Sequence, residues 1–391
     1  MARERLDSLA AKCVVAGIQG LTPTEAELDL VRRGIGGIVL FARNVQDPEQ
    51  VATLCKTLKA AAPGKLLIAI DQEGGRVQRL KAPHWTTIPT MGRLGDIDHA
   101  GGLNGLPGHK VVEKVGQIIA SELNACGIDW NLAPVVDIAS NPDNPVIGDR
   151  SFGDNETRVS KLAAIMGQTF ERNGIASCAK HFPGHGDTSQ DSHKTLPRLA
   201  HDEAQLWECE LVPFLTVKSA MLASVMTAHV TFDALDTLPA TLSERTLRIL
   251  RKDIGFAGVC VSDDLEMAAI ADNFGVLDSA PNAIAAGCDA VLICHTLKLQ
   301  DGAIDGISRA ARSGPLAIGR LEQAAARMDT LQKFAKSAAS IDPSKAAAAC
   351  GTAASRAFIE TIEKAELKPH VVHRGFGQAH VHHDPTERSH A

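Results

Sequence analysis

Eight short apolar runs, rich in Val and Ile and separated by amphipathic stretches, constrain this chain more than any other feature of its sequence. They fall at 13–18, 37–41, 66–70, 128–136, 175–179, 224–228, 258–261 and 290–294. Runs of this length suit strands buried on both faces, and their alternation with helical patterns is the βα order of a parallel sheet covered by helices. Eight of them favour an α/β fold of the closed (β/α)8 TIM type over an open sheet, and 391 residues leave room for one such barrel plus an extension.

The helical stretches carry their own punctuation. Thr22-Pro23-Thr24-Glu25 offers a capping threonine, a proline in the first turn and a glutamate where a capping box wants one, and Asp47-Pro48 opens the next helix in the same way. Further helical patterns occupy about 109–126, 155–173, 201–219, 243–253 and 278–286. After the eighth run, 316–338 and 345–365 read as two alanine-rich helices. The expected organisation is a barrel over 1–340, a helical extension over 341–367 and a disordered, histidine-rich tail over 368–391, whose polar composition suits a solvated appendage better than a metal-binding tract.

Composition removes several classes of function. A net charge of -6 leaves no basic face for a nucleic-acid backbone. Nine scattered cysteines without a CxxC pair read as buried thiols in a reducing compartment. Asp7 and Lys12 interrupt any apolar stretch of a secretory signal, and no uncharged run is long enough to span a membrane. The expectation is a soluble, cytoplasmic, monomeric protein that binds neither nucleic acid nor membrane.

In a βα barrel the site is built from loops at the carboxyl ends of the strands, and polar clusters stand at five of those points. The third run leads into Asp71-Gln72-Glu73-Gly74-Gly75-Arg76-Val77-Gln78-Arg79, and the fourth towards Asn144 to Gly153, with Arg150. The fifth leads into Lys180-His181-Phe182-Pro183-Gly184-His185-Gly186-Asp187-Thr188-Ser189-Gln190-Asp191-Ser192-His193. The sixth ends at His229 and the seventh at Ser262-Asp263-Asp264. Singly, each has a plain structural reading: Asp263 or Asp264 as a helix cap, the glycines as a tight turn, Arg79 and Arg150 as ion-pair partners. Their convergence on one rim favours function. Asp191, two residues before His193, can fix that imidazole's tautomer and raise its basicity, which suits a proton shuttle; a loop-stabilising hydrogen bond is the alternative. His181, His185, Asp187, Asp191 and His193 are also metal-ligand types, but Pro183 and Gly184 prevent a helical HxxxH pair and no HExxH glutamate is present.

These residues together resemble glycoside hydrolase family 3, in particular its single-domain β-N-acetylhexosaminidase branch of bacterial cell-wall recycling. The likeness covers about residues 10–300, and KHFPGHGDTSQDSH is its most specific motif. The resemblance implies a (β/α)8 barrel, a retaining mechanism through a covalent intermediate, no metal or cofactor, and a histidine acid/base. It implies Asp263 as nucleophile, with Asp264 supporting it or capping, and His193 as acid/base with Asp191 as its partner. It implies that Asp71, Arg79, Arg150, Lys180 and His181 hold the hydroxyls of the terminal sugar, with His229 nearby. The implied substrate is a muropeptide-like saccharide ending in β-linked N-acetylglucosamine. Two rivals stand beside hydrolysis: phosphorolysis on the same site, since a neutral histidine does not repel phosphate, and a catalytically silent sugar-binding barrel. The glycine-rich loop at about 95–108 and the length beyond about 340 depart from the compact pattern.

Overall fold

The computed structural model describes residues 2–192 and 194–367. Eight parallel strands alternate with helices: β1 Val14–Gly17, β2 Gly37–Leu40, β3 Leu67–Ile70, β4 Trp130–Asn131, β5 Cys178–Phe182, β6 Ser224–Thr227, β7 Val259–Asp264 and β8 Ala290–Ile293. Each pairs with its neighbour in chain order, and β8 returns to β1 through Val14↔Val291 and Ala16↔Ile293. Isolated parallel bridges Trp130↔Ala176 and Val135↔Lys180 join the fourth and fifth strands and complete the ring. The fold is therefore the TIM-type barrel expected from eight βα repeats.

Strand side chains divide between two layers. Val15, Val39, Leu67, Ala69, Trp130, Cys178, Met226, Val261 and Leu292 point inward and fill the barrel, while alternate residues such as Val14, Ile38, Ile68 and Val291 pack against the helices. Burial on both faces is why the strands read as unbroken apolar runs.

Several boundaries differ from the sequence expectation for identifiable reasons. The fourth strand, expected over 128–136, is regular only at Trp130–Asn131, because Pro134 has no N–H to continue a ladder. The fifth runs three residues later than expected, so Lys180 and His181 belong to β5 itself and not to the loop after it. The helix expected to be capped by Thr22 starts at Glu25 instead: Thr24 is the cap, its backbone N–H donating to Glu27 at 2.7 Å in a complete capping box. Asp47 caps Pro48–Ala61 as expected. The 201–219 pattern splits into Glu203–Glu208 and Val212–Ser219, and 345–365 splits into Pro343–Ala349 and Ala353–Glu363 around Gly351, whose φ of 54° is left-handed. Helices Met91–His99 and Leu297–Ser313 have no counterpart in the sequence reading.

Helix Ile318–Leu331 closes the bottom of the barrel with Met328 and Leu331, and Pro343–Ala349 packs on the helices Pro48–Ala61 and Gly108–Ala125. Among the described residues no helix is long and apolar enough to cross a membrane. The tail expected to be disordered, 368–391, lies outside the described residues.

Candidate active site

The carboxyl ends of the strands enclose a cavity of about 560 Å³, a size suited to a small molecule. Val39, Leu132, Met226 and Leu292 of the inward layer line its floor, so the cavity is blind towards the barrel interior.

One wall is a lattice of ion pairs. Gly74 and Gly75, with φ of 120° and 53°, turn the chain after β3 back on itself, and Gln72 Oε1 accepts from the N–H groups of Arg79 and Leu80 at 3.0 Å each. Arg79 thereby returns over Asp71, with Nη2 3.1 Å from Oδ2. Lys180, pointing up from β5, reaches Asp71 Oδ1 and Glu73 Oε1, both at 2.7 Å. Arg150, on the 3-10 turn Gly148–Arg150, grips Glu73 with two donors at 2.9 Å. Burial pushes the carboxyl groups of Asp71 and Glu73 up, but Lys180 and Arg79 for the first, and Arg150 and Lys180 for the second, hold both below the ordinary carboxylate range. Three cations thus face two carboxylates. One positive charge is left over.

Asp263 faces that excess from the end of β7. Burial would raise its carboxyl, yet the His229 and His181 imidazoles, the N–H of Asp264 and the Lys180 ammonium together hold it low. Asp264 donates its N–H to Asp263 Oδ1 at 2.8 Å. His229 is buried, and burial keeps its basicity below that of a free imidazole. Its Nε2 lies 3.0 Å from the Asp264 carbonyl, which can only accept, so Nδ1 takes the hydroxyl proton of Thr241 at 2.8 Å. Neither Asp263 nor Asp264 caps the helix Ala268–Ala271, whose cap position is Met267; Asp264 instead accepts from the N–H groups of Glu266 and Cys294 at 3.1 and 3.2 Å.

Between these walls runs the loop after β5. Asp137, fully buried beyond the end of β4, accepts from His181 Nδ1 at 2.6 Å and from the His185 N–H at 2.7 Å. That bond fixes the His181 tautomer and leaves Nε2 for the cavity. Gly186 lies so close to the chain after β4 that a Cβ would stand 1.6 Å from the Ile138 carbonyl oxygen, which is why glycine occupies the position. Asp187 pairs with His201. Asp191 adjoins Ser192, which lines the cavity, and His193 lies outside the described residues. Among the described residues no group of three or more metal-ligand side chains is gathered: His181, His185 and Asp187 are engaged by the partners just named or by neighbouring hydroxyls. The structure therefore brings Asp71, Arg79, Arg150, Lys180, His181 and Asp263 into one cavity, which Ser192, the residue after Asp191, also lines.

The family model for the glycosyl hydrolase family 3 N terminal domain matches residues 6–331. The chain belongs to glycosyl hydrolase family 3. It is 41% identical over 297 residues to a β-hexosaminidase of Neisseria gonorrhoeae, covering 75% of this chain and 81% of that protein. Among solved structures it is similar to a family 3 β-N-acetylglucosaminidase from Paenibacillus, with a TM-score of 0.83, 36% identity, and coverage of 91% of this chain and 68% of that one. It is also similar to NagZ from Neisseria gonorrhoeae bound to N-trifluoroacetyl-D-glucosamine, with a TM-score of 0.77, 36% identity, and coverage of 90% and 98%. As a family 3 member of the β-hexosaminidase group, this chain is a glycoside hydrolase.

Three residues packed into or around this cavity, Glu73, Asp137 and Ser192, received no individual role in the sequence reading, and His185 was weighed only as a metal-ligand type. Glu73 was visible only as part of its motif, although it holds both Lys180 and Arg150. Asp137 had a usable signal, since it follows the fourth apolar run just as Asp71 follows the third. His185 and Ser192 acquire their contacts through the loop's path, which spacing along the sequence does not reveal.

Proposed function

We propose that this glycoside hydrolase removes terminal, non-reducing β-linked N-acetylglucosamine from muropeptide-like fragments, with retention at the anomeric carbon, in the cytoplasm. The observation that carries the reading is the carboxylate of Asp263, held ionised at a blind cavity opposite the Asp71, Lys180 and Arg150 lattice. A blind cavity suits a chain end, hence exo action. Asp263 attacks the anomeric carbon and forms a glycosyl ester while His193, supported by Asp191, protonates the leaving oxygen; water then opens the ester with His193 as base. Asp71, Arg79, Arg150, Lys180 and His181 bind the hydroxyls of the sugar. The N-acetyl preference draws on the relatives, one of which binds N-trifluoroacetyl-D-glucosamine.

The substrate assignment is tested with aryl β-N-acetylglucosaminide against aryl β-glucoside, and the stereochemistry by NMR of the first-formed product. Preference for the N-acetyl sugar and release of the β anomer are expected. Early α anomer would remove the retaining mechanism, and phosphate-dependent formation of a sugar phosphate would replace hydrolysis by phosphorolysis.

A further inference from the structure

The loop after β5 carries Asp191 and His193, and only one residue lies between them. Ser192 is buried, at 3% exposure, and anchored at two points. Its hydroxyl lies 3.1 Å from His185 Nε2, at the root of the same loop. Its carbonyl accepts from the N–H of Ala269, in the short helix Ala268–Ala271 after β7, at 3.4 Å. The segment is thus fastened on one side to the root of its own loop and on the other to the helix that follows β7, the strand bearing the proposed nucleophile.

His185 is built to make the first fastening. Burial, followed by the neighbouring His181 imidazole, pushes its basicity down to about 4, so the ring is neutral near pH 7. A neutral imidazole has one donor and one acceptor nitrogen. Two hydroxyls meet them: Thr188 Oγ1 is 2.7 Å from Nδ1, and Ser192 Oγ faces Nε2. Asn144 holds the other side of this turn, donating to the carbonyls of His185 and Gly186 at 2.8 Å each.

The geometry points to Ser192 as a positioning residue for the acid/base: the His185–Ser192 hydrogen bond and the Ser192–Ala269 contact latch the backbone that carries Asp191 and leads into the proposed acid/base. The inference rests on the acid/base reading above. A latch of this kind acts on proton delivery and not on sugar binding, so its loss is felt where the leaving group needs a proton.

The test is kcat/KM of Ser192→Ala, beside wild type and Asp191→Ala, on N-acetylglucosaminides whose leaving groups range from an activated nitrophenol to an alkyl alcohol. The latch predicts a loss of about fivefold or more for the alkyl alcohol and of less than about twofold for the nitrophenol, the size expected of one lost hydrogen bond. It also predicts that adding Ser192→Ala to His185→Gln causes little further loss, because both remove the same contact. Equal losses at both ends of the series, no loss at either end, or losses that multiply in the double variant overturn the latch, while the acid/base reading stands if Asp191→Ala still discriminates. An Asp191→Ala variant that fails to discriminate removes the acid/base reading and the latch with it.

Discussion

Both ends of this barrel hold buried carboxylates among cations, and the two ends differ in what remains of their hydrogen-bonding capacity. At the amino ends, Asp129 meets Lys59, Lys336, and the N–H groups of Ile68 and Lys336 at 3.1 and 2.9 Å. Asp289, just before β8, meets Arg251, Arg320 and Arg327, and the N–H of Cys260 at 3.0 Å. Each has four contacts, about as many as a carboxylate has lone-pair sites. At the carboxyl ends, among the described residues, Asp71 accepts only from Lys180 and Arg79, and Asp263 only from the Asp264 N–H. Their remaining capacity faces the cavity. A charged cluster becomes a site when its unsatisfied acceptors look into space; when they are used up against the chain's own donors, it is a staple.

The comparison is broken first at Asp263. Asp263→Ala should lower kcat/KM on an aryl N-acetylglucosaminide by at least about 10⁴-fold, since the covalent step disappears, with little change in melting temperature. Asp264→Ala should be far more active, and the reverse pattern would exchange the two assignments. At the other end, Asp289→Ala should cost about 3–5 kcal/mol of stability, because three guanidinium groups lose their counter-charge. Chemical denaturation reads that loss, and kcat/KM per folded molecule should stay within about twofold of wild type. Activity that falls as far as stability would mean the amino end is not merely structural.

Asp71→Asn separates the two kinds of carboxylate more finely. It keeps the shape but weakens both the pairing to Lys180 and the contact with a sugar hydroxyl, so kcat/KM should fall about 10²-fold. A smaller change than in the stability of Asp289→Ala is expected on unfolding, measured side by side.

The smallest effect concerns pH. His185 binds its proton only near pH 4 in the folded state, against an ordinary value of 6.5. Between those values the unfolded chain takes up a proton that the folded chain refuses, so stability falls as the pH falls. Lowering the pH from about 6.5 to 5 should cost on the order of 2 kcal/mol through this group. The buried His229, also held low, adds in the same direction. In His185→Gln the slope over this window should flatten; an unchanged slope would assign it elsewhere.

How far the sequence reveals this molecule depends on the range of the forces involved. Strands were legible because burial on both faces makes them apolar throughout, and the rim because Asp71 and Asp263 directly follow such runs. The helix Met91–His99 was hidden by its own packing: Gly92 and Gly95 argue against a helix locally, yet a Cβ at Gly95 would stand 1.9 Å from the Phe152 carbonyl oxygen. Leu297–Ser313 contains Gly302 and Gly306 and lacks a side-chain cap, yet its apolar residues fall on one face and the left-handed Gly314 stops it, a local signal that the sequence reading passed over. The shift of β5 that places Lys180 and His181 inside the strand depends on its pairing with β6, which runs from Cys178 opposite Ser224 to Phe182 opposite Thr227. The His185–Ser192 contact depends on how the loop folds back, which no spacing rule encodes.

The central claim is that the open acceptor at the end of β7 does the chemistry. Incubation with an activated 5-fluoro N-acetylglucosaminyl fluoride, followed by peptide mapping with fragmentation, tests it directly. The account predicts a glycosyl ester on the peptide containing Val261-Ser262-Asp263-Asp264, located at Asp263. An ester at Asp264 or on another segment, or full turnover of the reagent with no ester formed, would contradict it.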